Sequence, residues 1–185
     1  MSNTTAIAPE TTMSELLQQF PGAQRALFAR YHIGGCQSCG FSPTETLASV
    51  CERNENLPFD EVVTHIVNSH QDDAKIQISP DELATWMGDE PAPRLLDVRT
   101  REEFEAVKIP SAELFSQDMV QTIFTSWGKE TRIVVYDHQG SRSMDAATYL
   151  IGHGYANTHC LTGGIDAYSQ TIDTSLPRYR VEVED

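Results

Sequence analysis

The chain has no long hydrophobic run, few cysteines and few basic residues, and each shortage excludes something. No window is long and apolar enough to suggest a membrane span. The first residues, "MSNTTAIAPETT", hold no basic residue and no apolar run, so they do not read as a signal peptide. Four cysteines in 185 residues are too few and too scattered for a secreted disulfide framework, and a cytoplasmic setting is expected. Thirteen Lys and Arg stand against 27 Asp and Glu, for a formal net charge of −14. Three basic and seven acidic residues precede Asp72, and ten basic and twenty acidic follow from there. Neither part is a basic arm, which argues against nucleic acid and against an anionic membrane as partners.

What is present divides into two regions of different character. Residues 12–70 read as helical throughout, a bundle of three or four short helices. Leu16, Leu17 and Phe20 form one apolar face, and Pro21 opens a second helix with Leu27 and Tyr31. "SPTE" at Ser42–Glu45 has the form of a capping box, so a helix is expected to start there and to bury Leu47, Val50 and Cys51. From Pro58, Phe59, Val62, Val63, Ile66 and Val67 repeat at helical spacing, and a turn is expected at Gln71-Asp72-Asp73. Within this region lies "YHIGGCQSCGF", a C-x-x-C pair at Cys36 and Cys39 among glycines.

Residues 75–176 alternate between strand and helix patterns. "KIQIS", "RLLDVR", "RIVVYD" and "NTHCL" are the strands, and a second capping box, Ser79–Glu82, opens a helix with Leu83 and Trp86. This grammar predicts an α/β domain, a parallel sheet covered by helices on both faces. Sites in such sheets lie at the carboxyl ends of the strands, where Asp137 falls. The loop Asp137-His138-Gln139-Gly140-Ser141-Arg142 joins a strand to a helix, a shape that turns backbone N–H groups inward to cradle an anion. The ends, before Thr12 and after Pro177, read as loosely held.

The second region resembles a rhodanese domain, the sulfurtransferase fold. The likeness rests on "LLDVRTREEF" (Leu95–Phe104), "IPSA" (Ile109–Ala112), "IVVYDHQGSRS" (Ile133–Ser143), "GY" (Gly154–Tyr155) and "CLTGGIDAY" (Cys160–Tyr168), in that order. The resemblance implies a rhodanese-like parallel sheet and places Asp137 where active members carry a nucleophilic cysteine that holds sulfur as a persulfide. Asp137 has the charge but cannot carry a transferable sulfur, so the domain is expected not to act as a conventional thiosulfate sulfurtransferase. The family's Gly-His before "IP" is Val107-Lys108 here, and Ser111 stands where a glycine is usual. The loop has the shorter, sulfurtransferase length rather than the phosphatase length. Arg142 is expected either to pair with Asp97 or Asp137 or to bind a ligand, and Arg99 either to face the pocket or to be solvated. His138 is expected at an exposed loop tip.

The helical region is similar to the small redox-disulfide domain that accompanies hybrid-cluster and sulfur-metabolism proteins, and to the N-terminal domain of iron–sulfur repair proteins. The quoted residues are "FPGAQRALFARYHI", the cysteines after it, and "TETLASVC" leading into "LPFDEVVTHI". From its chemistry, C-x-x-C allows a disulfide, a persulfide relay or half of a metal site. No cofactor is expected; a metal would need further ligands, for which His32 and Cys51 beside Cys36 and Cys39 are the candidates.

Three functions follow. The first is a sulfur or redox protein whose chemistry lies at Cys36 and Cys39, with a degenerate recognition module behind it. Its partner would be a small molecule or protein carrying sulfur or a thiol. The second is a metal- or partner-binding sensory protein without catalysis. The third is residual sulfur transfer through another cysteine, with Cys160 the candidate and a core role its simpler explanation.

Overall fold

The apolar spacing of the first region produces four helices in the computed structural model, α1 (Met13–Gln19), α2 (Ala23–Tyr31), α3 (Leu47–Arg53) and α4 (Phe59–Lys75). The structure describes residues 7–34, 40–140 and 142–178, so Cys36, Cys39 and Ser141 lie outside the described residues. Two compact units divide the chain, Met1–Lys75 and Ile76–Asp185.

In the first unit Met13, Leu16, Leu27, Ile33, Leu47, Val50, Val62 and Ile66 share one core. Two expectations for it are corrected. The box at Ser42–Glu45 closes a turn, and the helix starts only after Thr46, whose hydroxyl caps Ser49 N. The cause is tertiary: the Glu45 carbonyl accepts from Met13 N, its carboxylate grips Arg53, and Leu47 N donates back to Thr11 O. The turn foreseen at Gln71-Asp72-Asp73 is helical, because α4 runs on to Lys75. No proline or glycine interrupts that stretch, Asp72 pairs with Lys75 one turn on, and Asp73 pairs with Arg25.

The second unit is an α/β domain. Its elements are β1 (Gln77–Ile78), α5 (Pro80–Trp86), β2 (Arg94–Asp97), α6 (Arg101–Ala106), β3 (Glu113–Leu114), α7 (Gln117–Ser126), β4 (Ile133–Tyr136), α8 (Ser143–Gly152), β5 (Thr158–Leu161) and α9 (Gly164–Thr171). The five strands are parallel in the order β1-β5-β4-β2-β3. Side chains alternate across a strand, and both faces of this sheet are covered. Leu95, Val134 and Tyr136 point into one core with Leu83, Ile165 and Tyr168. Their neighbours Leu96, Ile133 and Val135 point into the other with Ile123, Leu150 and Tyr155. That double burial explains the unbroken apolar run of β4, and it carries the chain to the sheet's carboxyl edge at Asp137.

Candidate binding loop at the carboxyl edge of the sheet

Asp137 follows the last residue of β4 and is 3% exposed. Its carboxylate accepts hydrogen bonds from the backbone N–H groups of Gly140 and Arg142, and from Ser143 N at 3.1 Å. The loop therefore folds around an anion that belongs to the chain itself. The last two donors open α8, where the helix dipole also favours negative charge. Gly140, at φ 91°, makes the turn possible, and a Cβ there would come within 3.0 Å of Gly163 N.

The outside of the loop is held by α9. Ile165 N donates to Asp137 O at 2.9 Å and Asp166 N to His138 O at 3.1 Å. Gly164, at φ 57°, permits this approach: a Cβ there would lie 2.3 Å from Asp137 O. The turn "TGG" is thus a docking surface for the loop's backbone. His138 is half-buried rather than an exposed tip, and its Nδ1 is shut off from solvent; Gln139 is exposed.

A second buried network stands beside the loop. Arg99 is buried rather than solvated. Its guanidinium meets the Asp97 carboxylate at 2.6 Å and donates to Val107 O at 2.6 Å. Tyr136 OH accepts from Ile109 N at 3.3 Å. Burial, and then the Asp97 charge, push the Tyr136 phenol well above its ordinary pKa, so it stays neutral. Together these groups pin residues 107–109, where the chain leaves α6. Because Asp97 is committed to Arg99, Arg142 does not pair with it, and Asp137 takes the Arg142 backbone rather than its guanidinium. The Arg142 side chain is exposed beside the loop.

Both described cysteines, Cys51 and Cys160, are buried. Cys51 is 3% exposed in the helical core, and burial, then Glu52, push its thiol pKa up, which suits packing rather than reactivity. Cys160 is 1% exposed in the interior strand β5, with its Sγ 3.9 Å from Met144 Sδ. Its Cα is in register with Val135, two residues short of Asp137. His32 is exposed, at φ 57° at the end of α2. Among the described residues, no group of three or more His, Cys, Asp or Glu is placed to hold a metal ion. No helix among them is long and apolar enough to cross a membrane.

Tyr136 and Ser143 were not anticipated as parts of this edge. The signal for Ser143 was its place directly after the loop, in the first turn of a helix whose free N–H groups seek an acceptor. Tyr136 carried no such signal, since a tyrosine in an apolar strand announces burial but not its partner.

A parallel five-stranded sheet with a helix-opening anion cradle at its carboxyl edge defines a class of α/β domain. Within that class the chain belongs to the rhodanese-like family, whose domain model matches residues 79–171, half of its length. The chain is 30% identical over 115 residues to the adenylyltransferase and sulfurtransferase UBA4 of Candida albicans, an alignment that covers 58% of this chain but only 26% of that protein. It is 29% identical over 94 residues to a sulfurtransferase of Allochromatium vinosum, covering 51% of this chain and 88% of that one. The crystal structure of a rhodanese-like domain protein from Staphylococcus aureus superimposes with a TM-score of 0.46 and 27% identity, over 56% of this chain and 98% of the other.

Proposed function

We propose that this is a protein of sulfur metabolism in which Cys36 and Cys39 carry the chemistry and the rhodanese-like domain serves recognition. The observation that supports this reading is the Asp137 carboxylate, which takes the N–H donors of the loop; on the resemblance to rhodanese domains, this is the position of the nucleophilic cysteine. A carboxylate cannot bond a transferable sulfur, and its charge repels an anionic donor such as thiosulfate. The sulfurtransferases among the relatives support a sulfur-handling context. The depth of Cys51 and Cys160 leaves the C-x-x-C pair as the chain's natural site for thiol chemistry. Its partner would be a thiol- or sulfur-carrying small molecule or protein, in a reducing, cytoplasmic compartment. In oxidation to a disulfide, each thiol gives up one proton and one electron to an external oxidant, and the S–S bond forms. In persulfide transfer, a thiolate attacks the sulfane sulfur of a persulfide or polysulfide donor, the donor's S–S bond breaks and its thiolate leaves, and an acceptor thiolate then takes the outer sulfur by the same displacement.

The test is the intact mass of the chain, prepared without reductant and then treated with a polysulfide or with a disulfide oxidant. The expected result is a loss of two hydrogens, or a gain of sulfur that reductant removes. Both changes should map to Cys36 and Cys39 and vanish when the two are replaced by serine. If they persist in that double variant, the assignment is wrong. If the wild type turns over thiosulfate and Asp137→Ala abolishes it, the recognition reading of the loop is wrong.

A further inference from the structure

The chain does not leave the domain at the end of α9. After Thr171 it turns back: Ile172 and Asp173 N donate to Tyr168 O, Asp173 caps Ser175 N at 3.1 Å, and Leu176 N closes on Asp173 O at 3.2 Å. Leu176 packs, half-buried, on the core formed by Val107, Ile165 and Tyr168. The next residues run back toward the binding loop. Arg178 Nε and Nη2 reach Asp166 Oδ1 at 3.1 and 2.9 Å. Asp166 is the residue whose N–H holds His138 O.

Pro177 and Arg178 thereby complete a wall. With Val107, His138, Ile165, Asp166 and Ser169 they line a gap of only about 10 Å³. A water molecule needs about 10–15 Å³, so the gap admits at most one. On the other side of Leu176 and Pro177, a groove of about 470 Å³ runs along Phe104–Lys108 at the end of α6. The segment therefore lies between a wide groove and a narrow gap, and the narrow gap is bounded by the loop.

The means of attachment decide what the segment can do. Arg178 is 54% exposed and Asp166 23%, an ion pair that salt screens and that holds weakly. Thr174, Ser175, Pro177 and Arg178 are exposed, which leaves Leu176 as the main apolar anchor. We propose that Asp173–Arg178 is a releasable strap over the His138 flank of the binding loop, and that its release opens this flank to an incoming partner. The occupant of the flank in the resting state is thus the chain's own segment. The strap rests on its own geometry; only its use, gating a recognition loop, rests on the function proposed above.

The experiment places a reporter thiol on the covered flank. In full-length His138→Cys protein, alkylation of that thiol by iodoacetamide is followed by peptide mass. The expected result is slow labelling, raised several-fold by Arg178→Glu. Salt at about 1 M, where the Debye length is about 3 Å, should speed labelling in the parent and leave the Arg178→Glu variant unchanged. Leu176→Ser removes the apolar anchor instead of the charge and should act in the same direction. Equal rates across these variants would overturn the strap, as would parent labelling as fast as that of a thiol placed at exposed Gln139. The labelling involves neither Cys36 nor Cys39. A strap that opens in a protein whose dithiol proves inert would refute the proposed function and leave the strap standing.

Discussion

Arg99 and Asp97 form an ion pair from which water is almost wholly excluded: their side chains are 2% and 0% exposed. Both sit at the carboxyl end of β2, and the same guanidinium holds Val107 O, so the pair fastens the chain leaving α6 to the sheet. Removing one partner strands the other charge in a dry setting. Arg99→Ala should cost about 3–5 kcal/mol, read as a lower denaturant midpoint at unchanged slope. Replacing both with apolar residues of similar volume should cost clearly less than either single change, because no buried charge is then left alone.

The Asp137 carboxylate stands to its loop as a bound anion stands to an empty cradle. Asp137→Ala leaves the N–H groups of Gly140, Arg142 and Ser143 without their acceptor. Each unsatisfied buried donor costs about 1–3 kcal/mol, less wherever water enters. The cradle should then accept a free anion. Sulfate should raise the melting temperature of Asp137→Ala by more than it raises that of the wild type, whose site is already filled. A thermal shift series in sulfate against chloride at matched ionic strength checks this.

The layered architecture was legible because its signals are local or periodic. The apolar run of β4 and the capping box at Ser79–Glu82 each needed only a few neighbouring residues to be read. The boxes at Thr12–Glu15 and Thr100–Glu103 obey the same rule and could have been found in the same way. The box at Ser42–Glu45 misled, since its motif says nothing of the Met13 amide and the Arg53 guanidinium that compete for Glu45. The partners of Arg99 and Arg142 depend on how β2 lies beside β4, and the residue types alone do not say which arginine turns inward. The part after Pro177 read as loosely held because the partner of Arg178, Asp166, belongs to the helix before it.

His159 supplies a pH dependence. Burial first, then the Arg132 charge, hold its imidazole below the ordinary value of 6.5, with Glu82 opposing. Its ring lies edge-on to Trp86, with Nε2 3.1 Å from Asn157 Oδ1. Around the ordinary value the unfolded chain binds this proton more readily than the folded one does. The contribution therefore favours unfolding as the pH falls through 6.5 toward the lower folded-state pKa, and it is absent well above that range. Denaturation curves from pH 7.5 to about pH 5 should show stability falling in the wild type and falling less steeply in His159→Gln. Parallel curves for the two proteins would rule out this residue as a source of the dependence.

Two positions share a left-handed backbone, and the chain treats them differently. Gly164, at φ 57°, meets the carbonyl of Asp137; Ser111, at φ 67°, closes the turn in which Ala112 N donates to Ile109 O. An L side chain in this region costs about 1–2 kcal/mol, and glycine avoids the cost while adding freedom to the unfolded chain. Ser111→Gly should therefore stabilise the domain by about 0.5–1 kcal/mol net. Gly164→Ala should destabilise it by more than that backbone cost alone, because its Cβ would fall 2.3 Å from Asp137 O and something must shift. The loop is what must move, so faster amide exchange at Gly140 and Ser143 should accompany the loss. Unfolding midpoints of opposite sign for the two variants, with the exchange change confined to Gly164→Ala, would establish both conformations. A neutral Gly164→Ala would mean that the loop does not rest on α9 as closely as its two backbone hydrogen bonds require.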